Sequence, residues 1–242
     1  MGTPSISLPL VLRDINETFG DKIYEGDVFA CNDPYRFNTH IGDFVTAIPV
    51  FVEGEHRFWV ATKGHQIDTG AYLPASVVPA AENVWQEGIG IPPVKFYERG
   101  EERFDVVELY LRNIRYRELA YGDLLAQLGS VWTGAERVVD LCEEWGIELV
   151  LSNVEAMINY ADHRMSEAMS QIPDGVYEAE GWVDSDAVDT FDISVKVKVK
   201  IEGDKAFVDF SGSGPQGAGG LNGTFATSMA AGVIPFLQYM DS

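Results

Sequence analysis

The chain has 242 residues, 46% of them hydrophobic, enough to bury a substantial core in one large domain or two smaller ones. Its formal net charge is −21, with 17 Lys and Arg against 38 Asp and Glu. This argues against nucleic acid and anionic membrane surfaces as partners, since both require clustered basic residues.

The opening MGTPSISLPLVL has no basic lead, and its apolar stretch is too short to span a bilayer, so the expected location is cytoplasmic. Apolar residues at helical spacing predict a helix from Ser5 to Phe19, stopped by Gly20 and followed by a strand from Asp27 to Cys31. A turn-rich segment then carries His40 and Asp43. After it come an apolar run from Phe44 to Val52, the turn Glu53-Gly54-Glu55 and a second apolar run from Phe58 to Ala61, the pattern of a hairpin. A hairpin returns the chain to its start, so His65 is expected beside His40 and Asp43. Two imidazoles and a carboxylate there make a plausible three-ligand site for a divalent metal, with positions left for water or substrate.

Other readings stay open at this level. A histidine in a turn is commonly a surface residue. Asp33, in Asn32-Asp33-Pro34, reads as a fourth ligand, as a partner orienting a histidine, or simply as a turn initiator. His56, beside the hairpin turn, and His163, in a helical stretch, are expected at the surface. The two cysteines lie far apart and imply no disulfide framework; Cys142 reads as core, and Cys31, near the site, is open to reading as a nucleophile.

Residues 71–93 are rich in proline, alanine and small residues and predict a long structured loop, with a helical turn around Glu82 to Glu87. Glu87 in the loop and Lys95 just after it are the chemically useful side chains there, both expected as ordinary exposed charges. From Asp105 to Ile172 three amphipathic helices follow, with Gly146 a natural cap between the second and third; Arg112, Arg115 and Arg117 suit the negative end of the first. Strands are expected over Val176–Val183, Ile193–Ile201 and Ala206–Phe210, with Lys196, Lys198 and Lys200 sharing one solvent face. The glycine-rich stretch Ser211–Gly223 holds no lysine and is not a P-loop. An apolar helix to Met240 ends the pattern. The expected fold is α+β. Residues 1–104 form a mixed or antiparallel sheet region with a loop-borne metal site. Residues 105–172 form a packed three-helix subdomain, and residues 173–242 hold antiparallel strands, a glycine-rich loop and a helix.

The runs NDPYRFNTHIGDF, GHQID, EGIGIPPVKFY, GDLLAQ and VDFSGSGPQ, in that order from about Ile6 to the end, resemble the hydantoinase B/oxoprolinase family, which includes the large subunits of ATP-dependent acetone and acetophenone carboxylases. The resemblance implies a divalent metal (zinc, manganese or iron) held by His40 and Asp43 of the T-H-x-x-D motif and His65 of the G-H motif. It implies an internal portion of a larger subunit, in a hetero-oligomer with a hydantoinase A type partner that uses ATP on a small carbonyl substrate. The metal-bearing subunit would then complete hydrolysis of a cyclic amide such as a hydantoin, 5-oxoproline or lactam. The alternatives are carboxylation of a ketone and a non-catalytic assembly role. Asp33 and Gln66 are the candidate catalytic residues beside the ligands. The chain departs from the pattern at Gln66, where many members carry a second histidine, at Gly70-Ala71 in place of Gly-Gly, and at Phe37-Asn38, again in place of Gly-Gly.

Overall fold

The computed structural model describes residues 3–240 and is α+β, with two antiparallel sheets and five α-helices. It divides into two units, one of Met1–Val78, Asn83–Val150 and Gly223–Thr227, the other of Pro79–Glu82, Leu151–Asn222 and Ser228–Ser242.

The first unit holds strands β1 (Val28–Cys31), β2 (Asp43–Val52), β3 (Glu55–His65), β4 (Val94–Glu98) and β5 (Glu101–Glu102), in the spatial order β3-β2-β1-β4-β5 with every pairing antiparallel. Successive side chains point to opposite faces, and each face has its own helical cover. Helix α1 (Thr3–Phe19) packs Val11 and Ile15 against Phe29, Cys31, Val45 and Ala47. Helices α2 (Phe104–Arg112) and α3 (Arg117–Trp145) pack Tyr110, Leu111, Leu124 and Leu128 against Val28, Ala30, Phe44 and Phe96. Double cover explains why β2 is predominantly apolar, with only Asp43 and Thr46 polar: its first eight residues are all buried.

The β2–β3 connection is the two-residue turn Glu53-Gly54 with φ of 55° and 79°, the positive pair that a type I′ hairpin requires. β3 is longer than its apolar centre. Its ladder runs from Val52 opposite Glu55 to Asp43 opposite His65, so His65 belongs to the strand and does not lie beyond it. As an edge strand, β3 admits polar residues that the sheet interior would reject.

Three side chains sit differently from their sequence expectation. Lys95 is buried, its Nζ 2.9 Å from the fully buried Asp27 carboxylate and 4.5 Å from the centre of the Tyr24 ring. His56 is half-buried, stacked on Phe51 with its Nε2 3.0 Å from the Phe58 carbonyl, because the β2–β3 hairpin folds those rings together. Glu87 is half-buried too, and burial raises its carboxyl pKa.

In the second unit, β6 (Gly175–Ser185), β7 (Phe191–Glu202) and β8 (Lys205–Asp209) form a meander, with β7 and β8 joined at Gly203-Asp204. Lys196 lies opposite Glu180 and Lys198 opposite Glu178, paired at 3.3 and 2.9 Å, so the lysine face is a ladder of opposite charges. Most of α4 (Ile147–Met169) and of α5 (Phe225–Met240) belongs to this unit. The glycine-rich stretch is tied to the buried Asp186. Its Oδ1 accepts from the amides of Val188, Asp189 and Thr190, and its Oδ2 from Gly219. Burial opposes ionisation there, but these amides outweigh it and hold the carboxyl well below the usual range. Among the described residues, no helix is long and apolar enough to cross a membrane.

Candidate metal centre

Strand register builds the centre. Asp43 opens β2, His65 closes β3, and the two are directly opposite in the antiparallel ladder, where facing side chains stand on the same side of the sheet. His40 reaches them from the turn before β2, whose end is closed by the Asp43 amide donating to the His40 carbonyl at 3.0 Å. The His40 and His65 rings lie 5.0 Å apart, His40 Nε2 is 3.6 Å from Asp43 Oδ1, and one ligand atom from each of the three falls within 4.8 Å of the others. Asp43 is buried, His40 half-buried and His65 exposed, so the cluster is anchored on one side and open on the other.

In donor type and spacing this set suits a divalent cation with positions left for other ligands. Burial lowers the His40 pKa; the neighbouring Asp43 opposes this only in part, while His65 and Lys63 add to it, which favours the neutral ring that a metal needs. Its Nδ1 accepts from the Gly42 amide at 3.1 Å, leaving Nε2 turned toward Asp43.

The surroundings brace this arrangement through residues that hydrophobic spacing does not single out. Asn32 donates to the carbonyls of Ile41 and Ile89 and accepts from the Ile91 amide, stitching the end of β1 to the histidine turn and to the long loop. Asn38 donates to the Asp43 carbonyl, and the Thr39 hydroxyl to Asp43 Oδ2. Thr224, just before α5, lies 3.2 Å from both the Asn38 and Thr39 carbonyls. Thus the residue that follows the glycine-rich stretch braces the histidine turn. Asp68, fully buried, accepts from the amides of Gly70 and Arg115 and from the Arg115 guanidinium, which also donates to the Ala71 carbonyl. Arg115 therefore holds the loop after His65 and does not cap a helix end. On the face toward α3, Gln127 Nε2 donates to the Phe44 carbonyl at 3.0 Å and presses on Gly64, where a Cβ would lie 2.6 Å from it.

The remaining sequence candidates fall as follows. Asp33 caps the short 3-10 turn Pro34–Arg36 by accepting from the Tyr35 amide at 2.8 Å, and it lies outside the three-residue cluster. Phe37, which ends that turn, has φ of 66°, the left-handed conformation that favours glycine. Gln66 is buried next to His65, its backbone N–H donating to the Gly42 carbonyl at 2.8 Å and its side-chain Nε2 to the Gly64 carbonyl at 3.4 Å. Cys31 is fully buried against α1, and burial pushes its thiol up to about 12, so it is not an accessible nucleophile.

Known proteins share this chain's pattern. The caprolactamase beta subunit of Pseudomonas jessenii is 37% identical over 202 residues, covering 84% of this chain and 35% of the relative. A crystal structure of the ATP-dependent caprolactamase from that organism superposes with a TM-score of 0.89 at 33% identity, covering 96% of this chain and 40% of the solved one. The acetophenone carboxylase delta subunit of Aromatoleum aromaticum is 31% identical over 212 residues, covering 86% of this chain and 31% of the relative. The chain thus spans about a third of the length of these curated relatives. The family model for hydantoinase B/oxoprolinase matches residues 4–242, and the chain belongs to that family.

Proposed function

We propose that this chain is the metal-bearing part of a hydantoinase B type protein, working in an ATP-dependent complex that opens a cyclic amide. The observation that carries the reading is the pairing of Asp43 with His65 across one ladder, with His40 folded over both. A divalent cation held there, zinc, manganese or iron, would supply Lewis acidity toward a carbonyl oxygen or a more acidic bound water. The chain's own residues do the rest. His40, Asp43 and His65 fix the position of the reacting centre, Asn32 and Asn38 keep the turn rigid around it, and the exposed edge at His65 leaves an approach for a small carbonyl compound. Gln66, adjacent to His65, is assigned to substrate handling, and Asp33 to shaping the turn that leads to His40. The chain has no phosphate-binding motif of its own, in keeping with ATP being used by a hydantoinase A type partner.

Among cyclic amides a lactam is favoured, since the relative at 37% identity belongs to a caprolactamase. Carboxylation of a ketone is the second reading, supported by the 31% identity to the acetophenone carboxylase delta subunit. The test is ATP turnover by the complex purified with its partner, offered lactams, hydantoins and 5-oxoproline in one series and ketones with bicarbonate in another. Turnover with a cyclic amide and no bicarbonate requirement supports the proposal; a strict need for bicarbonate moves the assignment to the carboxylase. Absence of stoichiometric divalent metal from the active complex removes both.

A further inference from the structure

The inner wall of the histidine and aspartate cluster carries a positive charge that the proposed function leaves unused. Lys63 lies two residues before His65 on β3, opposite Val45, on the face covered by α1. Its side chain is only 2% exposed. The ammonium is held by Ser7 Oγ from α1, by Asn38 Oδ1 at 2.6 Å and by Thr39 Oγ1 at 3.4 Å, and it stands 3.9 Å from Asp43 Oδ2. Thr39 donates to that same Oδ2. The two oxygens of Asp43 are therefore unlike: Oδ2 faces a hydroxyl and an ammonium, and Oδ1 faces His40 Nε2. Burying an ammonium is unfavourable unless a counter-charge is near, and Asp43 is an acidic group within 4 Å of it.

We propose that Lys63 is a positioning residue for this centre: with Thr39 it turns Asp43 so that only Oδ1 faces the imidazoles, and it cancels most of that carboxylate's charge. The inference rests on reading the cluster as a metal site. Its consequence is chemical. A cation bound through one carboxylate oxygen, beside a fixed ammonium, keeps more of its positive charge than one facing a free carboxylate, and so favours an electron-rich substrate oxygen.

The test uses the purified complex loaded with Co(II) for spectroscopy and with Mn(II) for affinity by chelator competition, comparing wild type with Lys63→Met and Thr39→Val, and following the fold by circular dichroism. Lys63→Met should bind Mn(II) about tenfold more tightly, since a like charge is gone. Its Co(II) visible bands should weaken as the second carboxylate oxygen enters. Thr39→Val, which removes the hydroxyl without changing charge, should alter the Co(II) bands in the same direction with less than about a threefold change in affinity. A lysine that only fills space would give no gain in affinity. Unchanged bands and affinity in Lys63→Met, or weaker binding in a folded variant, overturn the inference while leaving the metal reading intact. If Lys63→Met does not fold, Lys63→Gln, neutral but still able to bond Ser7 and Asn38, is judged by the same criteria. Wild-type complex that binds neither ion overturns the metal reading, and the inference with it.

Discussion

The two sheets are both antiparallel, yet they are built on different terms. The sheet that carries His40, Asp43 and His65 has a helical layer on each face, and β1 is buried at every residue. In the other sheet, β6 is exposed over nearly its whole length and β7 is held to it by opposite-charge pairs. Buried side-chain packing on both faces fixes the first, while the second relies on its backbone ladder and on cross-strand pairs worth a few tenths of a kcal/mol each. The lesson is that precision has been placed where His40, Asp43 and His65 come together.

The contrast can be broken by substitution. Phe29, fully buried between Phe19 and Trp59 with ring centres at 4.9 and 5.5 Å, should cost about 3–5 kcal/mol as Phe29→Ala in urea unfolding. Phe207, 54% exposed on β8, should cost less than about 1 kcal/mol as Phe207→Ala. Comparable losses at the two sites would end the distinction.

Next in size are the proposed ligands. His40→Ala and His65→Ala should each weaken divalent-metal binding by about 100-fold, read as bound metal after dialysis, and abolish turnover, while shifting unfolding by no more than about 0.5 kcal/mol. Loss of fold instead would make these structural histidines.

Glycines sharpen the comparison further. A Cβ at Gly64 meets Gln127 Nε2 at 2.6 Å, and that side chain is pinned by its bond to the Phe44 carbonyl. Gly64→Ala should therefore cost about 1–3 kcal/mol, recovered in part by adding Gln127→Ala. A Cβ at Gly181 in β6 meets nothing within 4 Å, so Gly181→Ala should be neutral or stabilise by about 0.5 kcal/mol.

At neutral pH the buried thiol costs nothing, and its effect shows only as a slope at alkaline pH. Burial raises the Cys31 thiol from 9.0 to about 12, so between those values the folded chain keeps a proton that the unfolded chain releases. Stability should fall by up to about 1.4 kcal/mol per pH unit above pH 9, and Cys31→Ala should remove that component of the slope. Iodoacetamide at pH 8.5 should leave native Cys31 unmodified.

Much of this was legible before any coordinates. Apolar runs on either side of Glu53-Gly54-Glu55 marked the site hairpin, which brought His65 back to Asp43, and period-two runs marked the three later strands; β4 and β5, short and showing neither pattern, went unread. The supporting cast was not legible. Lys95 read as an ordinary exposed charge and Lys63 drew no reading at all, yet each is enclosed by elements distant in sequence, Lys63 by Ser7 of α1 and Lys95 by Asp27 beside β1. Nothing near Asn32, Gln127 or Thr224 announces that they brace a turn or strand far along the chain.

Local order was thus set by the sequence itself: alternation decides which side of a strand faces in, and a turn with two positive φ values decides where the chain reverses. Which charges are buried, which carboxylate oxygen faces outward and which glycine must stay bare were decided only by tertiary packing, because burial and electrostatic environment belong to the neighbours that folding supplies.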